Sequence, residues 1–191
     1  MEEEIITPNR VWLGPFAAGK VDRMNVDHPA MKPPQVILAE CRVRRLRRGG
    51  PGGQHRNKVE TAVVLEHLPT GLRAEANERR SQAENQVHAL RRLRVSLALG
   101  VRTPAASVAS DLWKTYCSGN RIQVNQHNDD FPALLAEALD VVHSHGYDAA
   151  AAAAHLGVST SQLVKFVAVE PRALGILNEQ RRLRGLSALR G

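Results

Sequence analysis

The chain has 191 residues, 43% hydrophobic and 4% aromatic, with a formal net charge of +7 at neutral pH. This length allows one full domain and a second small one, and the apolar fraction supports a packed core. The low aromatic content argues against a stacking surface for single-stranded nucleic acid. The sequence shows no secretory signal and no run of membrane-spanning length, which predicts a cytoplasmic protein.

The positive charge is concentrated in one segment. Residues 1–34 carry a net charge of −1, residues 35–102 carry +8, and residues 103–191 carry zero. General solubility does not require such a concentration, whereas a nucleic-acid contact surface explains it. A solvated basic face is the alternative.

Residues 35–102 predict a small α+β domain, preceded by an arm. Residues 1–34 are rich in proline and predict an irregular arm. Apolar residues alternate with arginines in 41–46, which predicts a half-buried strand, and further strands fit 61–67 and 72–76. A long helix over about 78–99 would cover this small mixed sheet with a stripe formed by Ala83, Val87, Leu90, Leu93 and Leu97. Asn77 or Ser81 would cap that helix, and its arginines, Arg79, Arg80, Arg91, Arg92 and Arg94, should face solvent or ligand.

The remaining residues, 103–191, predict an all-α C-terminal module. An amphipathic pattern over 134–142 and the alanine run at 149–154 indicate helices. Gly157 and the capping residues Ser159 or Thr160 then predict a turn and a second helix over about 160–168, which together form a helix-turn-helix-like hairpin. A last helix fits about 171–184.

A glycine-rich loop follows the first arginine-rich strand. Residues 49–54 read Gly-Gly-Pro-Gly-Gly-Gln. Gly52 and Gly53 allow positive φ angles and a close approach of the backbone to a substrate, and Gln54 places a neutral amide at the tip. The arginines beside the loop suit a phosphate-rich partner.

Several ordered blocks extend from this loop. The sequence continues into Thr61-Ala62-Val63-Val64, then His67-Leu68-Pro69-Thr70-Gly71, then Glu78-Arg79-Arg80-Ser81-Gln82 with Asn85 and Ala89-Leu90. Over roughly 36–99 this string closely resembles the peptidyl-hydrolase domain of class I peptide chain release factors and their shorter ribosome-rescue relatives.

The resemblance implies hydrolysis of the ester that joins a nascent peptide to tRNA, in the peptidyl-transferase centre of the ribosome. It assigns Gly52, Gly53 and Gln54 to catalysis: the glycines shape the loop, the Gln54 N–H stabilises the developing oxyanion, and the Gln54 side chain orders the water. The ribosome, through rRNA and peptidyl-tRNA, is the expected partner, and no membrane partner is expected. The predicted RNA- or ribosome-binding residues are Arg42, Arg44, Arg45, Arg47, Arg48, Arg56, Lys58, Arg79 and Arg80.

Other chemistry has weaker support. His55 stands next to the loop tip, but the resemblance gives it no catalytic role. His127, His143 and His145 lack the further ligands of a metal site, so no metal and no cofactor are predicted. Cys41 and Cys117 are predicted to be free buried thiols.

Two classes of function remain open, and the first is the ribosome-dependent peptidyl-tRNA hydrolase that the resemblance implies. The chain has no recognisable codon-reading signature, which favours codon-independent rescue of stalled ribosomes over stop-codon termination. However, the C-terminal third is neutral, whereas small rescue hydrolases carry a basic tail. The alternative is a non-catalytic RNA- or ribosome-binding regulatory protein that retains the release-factor fold.

Overall fold

The computed structural model describes residues 28–46 and 61–191. Most of the predicted arm and the whole glycine loop lie outside the described residues. The described part begins with a single 3₁₀ turn, Pro29–Met31, and a short helix α1, Pro34–Ala39. His28 and Ala30 of this entry segment are buried, so the end of the predicted arm contributes to the core.

A three-stranded sheet follows, formed by β1 (Cys41–Leu46), β2 (Ala62–His67) and β3 (Arg73–Ala76). The strands lie in the order β1-β2-β3, and both neighbouring pairs are antiparallel. The described strands of the predicted mixed sheet therefore include no parallel pair. The register pairs Cys41 with His67 and Leu46 with Ala62, while Ala76 pairs with Val63. Leu46, the start of β2 and the end of β3 therefore lie at the same end of the sheet.

The long helix α2 spans Gln82–Gly100 and packs on β2 and β3. Ser81 caps it, because its side chain accepts a 3.3 Å hydrogen bond from the Glu84 N–H. The predicted apolar stripe is partly wrong. Val87 is 68% exposed, and the first turns bury Asn85 and Ala89 instead.

Arg94 also differs from its prediction as a residue that faces solvent or ligand. It is only 9% exposed. Its guanidinium donates to the carbonyl of Asp129 at 2.6 Å and to that of Ala30 at 3.3 Å. These acceptors come from segments far away in sequence and bind the two terminal nitrogens of the buried guanidinium, whereas its Nε has no hydrogen-bond partner among the described residues.

The half-buried character predicted for β1 is wrong as well. Val43 is 41% exposed and Leu46 is 37% exposed. Because α2 packs over β2 and β3, it leaves the edge strand β1 largely open. The pairing also places Leu46 on the opposite face from Val43, so these two residues do not form one apolar face.

The C-terminal residues form helices, as predicted. A short helix α3 (Asp111–Thr115) precedes a two-stranded hairpin of β4 (Cys117–Ser118) and β5 (Arg121–Ile122), and neither was predicted. Helices α4 (Phe131–Ser144), α5 (Ala149–His155), α6 (Thr160–Ala168) and α7 (Pro171–Arg182) follow. Ser159 caps α6 at the predicted helix-turn-helix, and Gly157 has a positive φ of 68° in its turn.

One apolar core runs through both parts of the chain. Helix α2 contacts the sheet and also α4. Buried side chains from Leu65 and Leu93 through Leu134 to Phe166 and Leu177 belong to the same cluster. The predicted domain boundary between residues 102 and 103 stays a prediction. Buried residues from both sides of it belong to the same apolar core.

Candidate nucleic-acid interface

The glycine loop belongs to a connection at one end of the sheet. The chain leaves β1 after Leu46 and enters β2 at Ala62, and these two residues are paired neighbours. The segment that follows β3, residues 77–81, lies at this same end because Ala76 pairs with Val63. The described base of the predicted catalytic loop is therefore a pair of strand ends beside the start of α2.

Asn85 holds this base together. Its side chain is fully buried, its Nδ2 donates to the carbonyls of Thr61 at 2.6 Å and Arg79 at 2.9 Å, and its Oδ1 accepts from the Arg79 N–H at 2.9 Å. One side chain thus joins the residue where the chain re-enters the sheet to the segment before α2. Sequence reasoning gave Asn85 no role, because this residue lies off the predicted apolar stripe of the helix.

The predicted arginines of β1 divide between two faces. Neighbouring residues of a strand point to opposite sides. Arg42 and Arg44 therefore share the outer face of the sheet, whereas Arg45 lies on the face that α2 covers at β2 and β3. All three are exposed. The structure therefore gives β1 basic side chains on both sides rather than one wet face.

Glu66 organises the outer face. Its carboxylate lies 2.7 Å from the Arg73 guanidinium, 3.5 Å from that of Arg42 and 3.9 Å from that of Arg44. The hydrogen bond from Arg73, together with the charges of Arg42 and Arg44, holds the pKa of Glu66 below its usual value. Three arginines around one glutamate leave a positive surface whose guanidinium groups are partly oriented.

Arg79 and Arg80 are exposed at the same sheet end as the loop base. The structure brings them to the end of β1 at which Arg44 and Arg45 lie. The remaining predicted residues, Arg47, Arg48, Gly52, Gly53, Gln54, Arg56 and Lys58, together with His55, lie outside the described residues.

His67 forms a buried network at the opposite end of the sheet. Its ring is 1% exposed, with Nε2 3.0 Å from Glu40 and Nδ1 2.8 Å from the Thr70 hydroxyl. A hydroxyl, an imidazole and a carboxylate that are linked in this order also occur in catalytic sites, as nucleophile, base and orienting group. However, the N–H groups of Thr70 and Gly71 donate to the His67 carbonyl, so these donors close the turn rather than face a substrate. The network stabilises the β2–β3 turn.

The described residues offer little for other chemistry. They contain no cluster of three or more metal-ligating side chains, so His127, His143 and His145 do not assemble with further ligands there. Cys41 and Cys117 are free, as predicted, but half-buried rather than buried. None of the described helices is both long and apolar enough to cross a membrane.

Part of the chain is similar to known proteins. Residues 34–127 match the RF-1 domain, a range that reaches beyond the resemblance seen in the sequence and includes α3 and the small hairpin. Peptide chain release factor 1 of Acidiphilium cryptum (strain JF-5) is 44% identical over 73 residues, which cover 38% of this chain and 21% of that protein. Peptide chain release factor 1 of Geobacter sulfurreducens (strain ATCC 51573 / DSM 12127 / PCA) is 36% identical over 84 residues, or 44% of this chain and 24% of that protein.

The aligned part of the chain thus spans less than a quarter of the length of these relatives. The matched segment contains the whole sheet, the loop connection and α2, which are the elements that form the candidate site. Residues 34–127, just under half of the chain, match the RF-1 domain, and this segment is similar to part of two class I peptide chain release factors.

Proposed function

We propose that this protein hydrolyses the peptidyl-tRNA ester on the ribosome. The observation that carries the proposal is the position of the Gly52-Gly53-Gln54 sequence between two strand ends that pair with each other and are held by a buried asparagine. Such a base fixes where a loop starts and ends. Preorganised positioning of this kind is what a loop needs if its backbone N–H is to meet a developing oxyanion.

In the proposed reaction, water attacks the carbonyl carbon of the ester and the tRNA 3′ oxygen leaves. The Gln54 N–H stabilises the negative charge that develops on the carbonyl oxygen, and one such donor is typically worth roughly a hundredfold to a thousandfold in rate. The Gln54 amide holds the water but cannot serve as a general base, because a neutral amide does not titrate in a useful range. Gly52 and Gly53 supply the backbone conformation.

The basic surface supports ribosomal RNA as the partner. Arg44, Arg45, Arg79 and Arg80 are exposed around the loop base, and Arg42 extends the surface along β1. Guanidinium groups bind phosphates through paired hydrogen bonds. The arginines would therefore hold the domain against rRNA while the loop enters the peptidyl-transferase centre.

The test is a peptide-release assay on purified ribosomes that carry labelled peptidyl-tRNA in the P site. One set has mRNA beyond the P site with a stop codon, a second has a sense codon, and a third has no mRNA beyond the P site. Release in the third set supports rescue, and release confined to the first supports termination. Ribosome binding without release in any set would overturn the hydrolase proposal in favour of the non-catalytic binder.

A further inference from the structure

A groove of about 340 Å³ lies between α2 and the junction of α6 with α7. We call it the α2–α7 groove. Val95 and Phe131, which are 8% and 3% exposed, form part of its apolar lining. Cationic and imidazole side chains complete the walls, among them Arg91, Arg92, His127 and Arg172.

The arginines of the groove are held in place and retain free donors. Arg91 donates to the carbonyl of Gln126. Arg92 donates to the carbonyl of Glu75 at 2.6 Å and forms a bidentate pair with Glu78 at 2.9 and 3.2 Å. Arg172 pairs with Glu170 through its Nε at 2.8 Å and one terminal nitrogen at 3.1 Å. Because a guanidinium has five N–H donors, each of these side chains can bind a further anion.

The groove combines residues from two parts of the chain that differ in charge. Residues 103–191 have no net charge, yet they contribute Arg172 and His127 beside the arginines of α2. Among the described residues that line the groove, Glu170 is the one carboxylate and Arg91, Arg92 and Arg172 are the guanidiniums. Glu78, which pairs with Arg92, is not part of the lining, and when it is counted the three guanidiniums still exceed the two carboxylates by one positive charge.

A single nucleotide fits this combination. Its phosphate needs guanidinium donors, its base has flat apolar faces, and a volume of this size lies at the lower end of ligand pockets. Val169, which is 37% exposed, also lines the groove and offers an accessible apolar surface to a base. The bases of a duplex are stacked and paired, so their faces cannot reach the apolar lining. The lining therefore favours an unpaired nucleotide.

We propose that the α2–α7 groove binds one unpaired nucleotide of RNA. Its phosphate lies against Arg92 and Arg172, and its base packs against Val95, Phe131 and Val169. The inference rests on the proposed function, since rRNA would supply the nucleotide, and it adds a second RNA contact away from the loop base. Residues 103–191 would then direct the domain to its ribosomal context by binding RNA themselves.

The test uses two matched pairs of variants in the full-length chain. Val169→Glu adds a carboxylate to the groove, and Val108→Glu adds the same charge at a valine that is 64% exposed elsewhere. Arg172→Gln removes a groove arginine that is paired with Glu170, and Arg182→Gln removes an arginine of α7 that is paired with Glu179 outside the groove. Thermal unfolding first shows which variants fold.

Binding of a fluorescein-labelled single-stranded uridine oligonucleotide is measured by anisotropy over a range of salt concentrations. We expect Val169→Glu and Arg172→Gln to weaken binding about tenfold, the equivalent of one lost charge-assisted hydrogen bond. Val108→Glu and Arg182→Gln should stay within about twofold, since exposed pairs away from the site contribute little. Photo-crosslinking with 4-thiouridine should label the peptides that contain Val95, Phe131 or Val169.

Equal affinities within each pair, or crosslinks confined to the sheet, would overturn the groove proposal. Equally tight, groove-dependent binding of a duplex would overturn the choice of an unpaired nucleotide. Peptide release by the wild-type chain is measured separately. If release occurs but the groove variants bind RNA normally, the groove proposal fails alone; if release is absent but binding depends on the groove, the hydrolase proposal fails alone.

Discussion

The sheet and the C-terminal helices of this protein are built for different tasks. β1 exposes five of its six residues and carries arginines on both faces, whereas eleven of the fourteen residues of α4 are buried. The sheet presents charge at the base of the loop, and the helices supply apolar packing. α2 joins the two, because it packs on the sheet and contacts α4. An open, charged surface can thus be maintained by a core that lies largely elsewhere in the chain.

The largest predicted effect tests whether the two regions share their stability. Leu134→Ala removes a fully buried side chain of α4 and should lower the free energy of unfolding by about 2–5 kcal/mol. Hydrogen exchange should show that the amides of β2 lose protection together with those of α4, since one core connects them. The control, Leu183→Ala, alters a leucine that is 61% exposed and should change stability by less than about 0.5 kcal/mol. Full retention of protection in β2 would show that the sheet folds independently of the helices.

A second prediction concerns His28, which connects the entry segment to the end of α2. Its ring is 1% exposed, Nδ1 accepts from the Ala30 N–H at 3.0 Å, and Nε2 lies 3.2 Å from the Val101 carbonyl. Burial lowers its pKa from 6.5 to about 4. The unfolded chain therefore takes up a proton below pH 6.5 while the folded chain does not, and stability falls as the pH decreases from about 6.5 to about 4.

This linkage should contribute a loss of roughly 3 kcal/mol over that range. Denaturant unfolding at several pH values should show a smaller loss for His28→Gln than for the wild type. His127→Gln, at an exposed histidine, serves as the control and should follow the wild-type curve. Identical curves for His28→Gln and the wild type would exclude a role for His28 in the pH dependence.

A third prediction compares two asparagines, one in each region. Asn85 joins Thr61 to Arg79 at the loop base, and Asn178 binds the N–H and carbonyl of Leu189 in the helical region. Alanine at either position should destabilise the protein by about 1–3 kcal/mol, because polar groups lose their partners. Only Asn85→Ala should also slow peptide release, measured under conditions where both variants are folded. Equal rates of peptide release by the two variants would show that Asn85 has no specific role in the function of the loop.

The smallest predicted effect concerns the two faces of β1. Arg44→Gln and Arg45→Gln remove charges that point to opposite sides of the strand. If both faces contact rRNA, each change should reduce the slope of log K against log salt by about 0.7–0.9. Ribosome binding over a range of salt concentrations provides the measurement. A changed slope for Arg44→Gln with an unchanged slope for Arg45→Gln would restrict the contact to the outer face.

The local structure of this chain was largely predictable from its sequence. The period-2 pattern placed β1 correctly, and capping chemistry gave two candidates for each of two helices, of which Ser81 and Ser159 form the caps. Such features depend on neighbours in sequence. The exposure of Val43 and the burial of Arg94 were not predictable, because they depend on where α2 crosses the sheet and on carbonyls contributed by distant segments.

The roles of the candidate site residues stay predictions, and the arrangement of those that the structure describes could not be predicted from the sequence. The resemblance identified the glycine loop and its arginines, whereas the division of Arg44 and Arg45 between two faces required the strand register. The short β4–β5 hairpin has only two residues in each strand, too few for a periodic pattern. The presence of Arg172 and Arg92 in the lining of one groove depends on helix packing, which the sequence alone does not reveal.

The most direct test of the central claim is peptide release by Gly53→Ala, measured on ribosomes with labelled peptidyl-tRNA and accompanied by ribosome binding. Added Cβ atoms restrict the backbone conformations open to glycine, so the variant should lose release while it binds ribosomes as tightly as the wild type. Such a result would assign hydrolysis to the loop and binding to the surface around it. Release by Gly53→Ala at the wild-type rate would contradict the hydrolase mechanism.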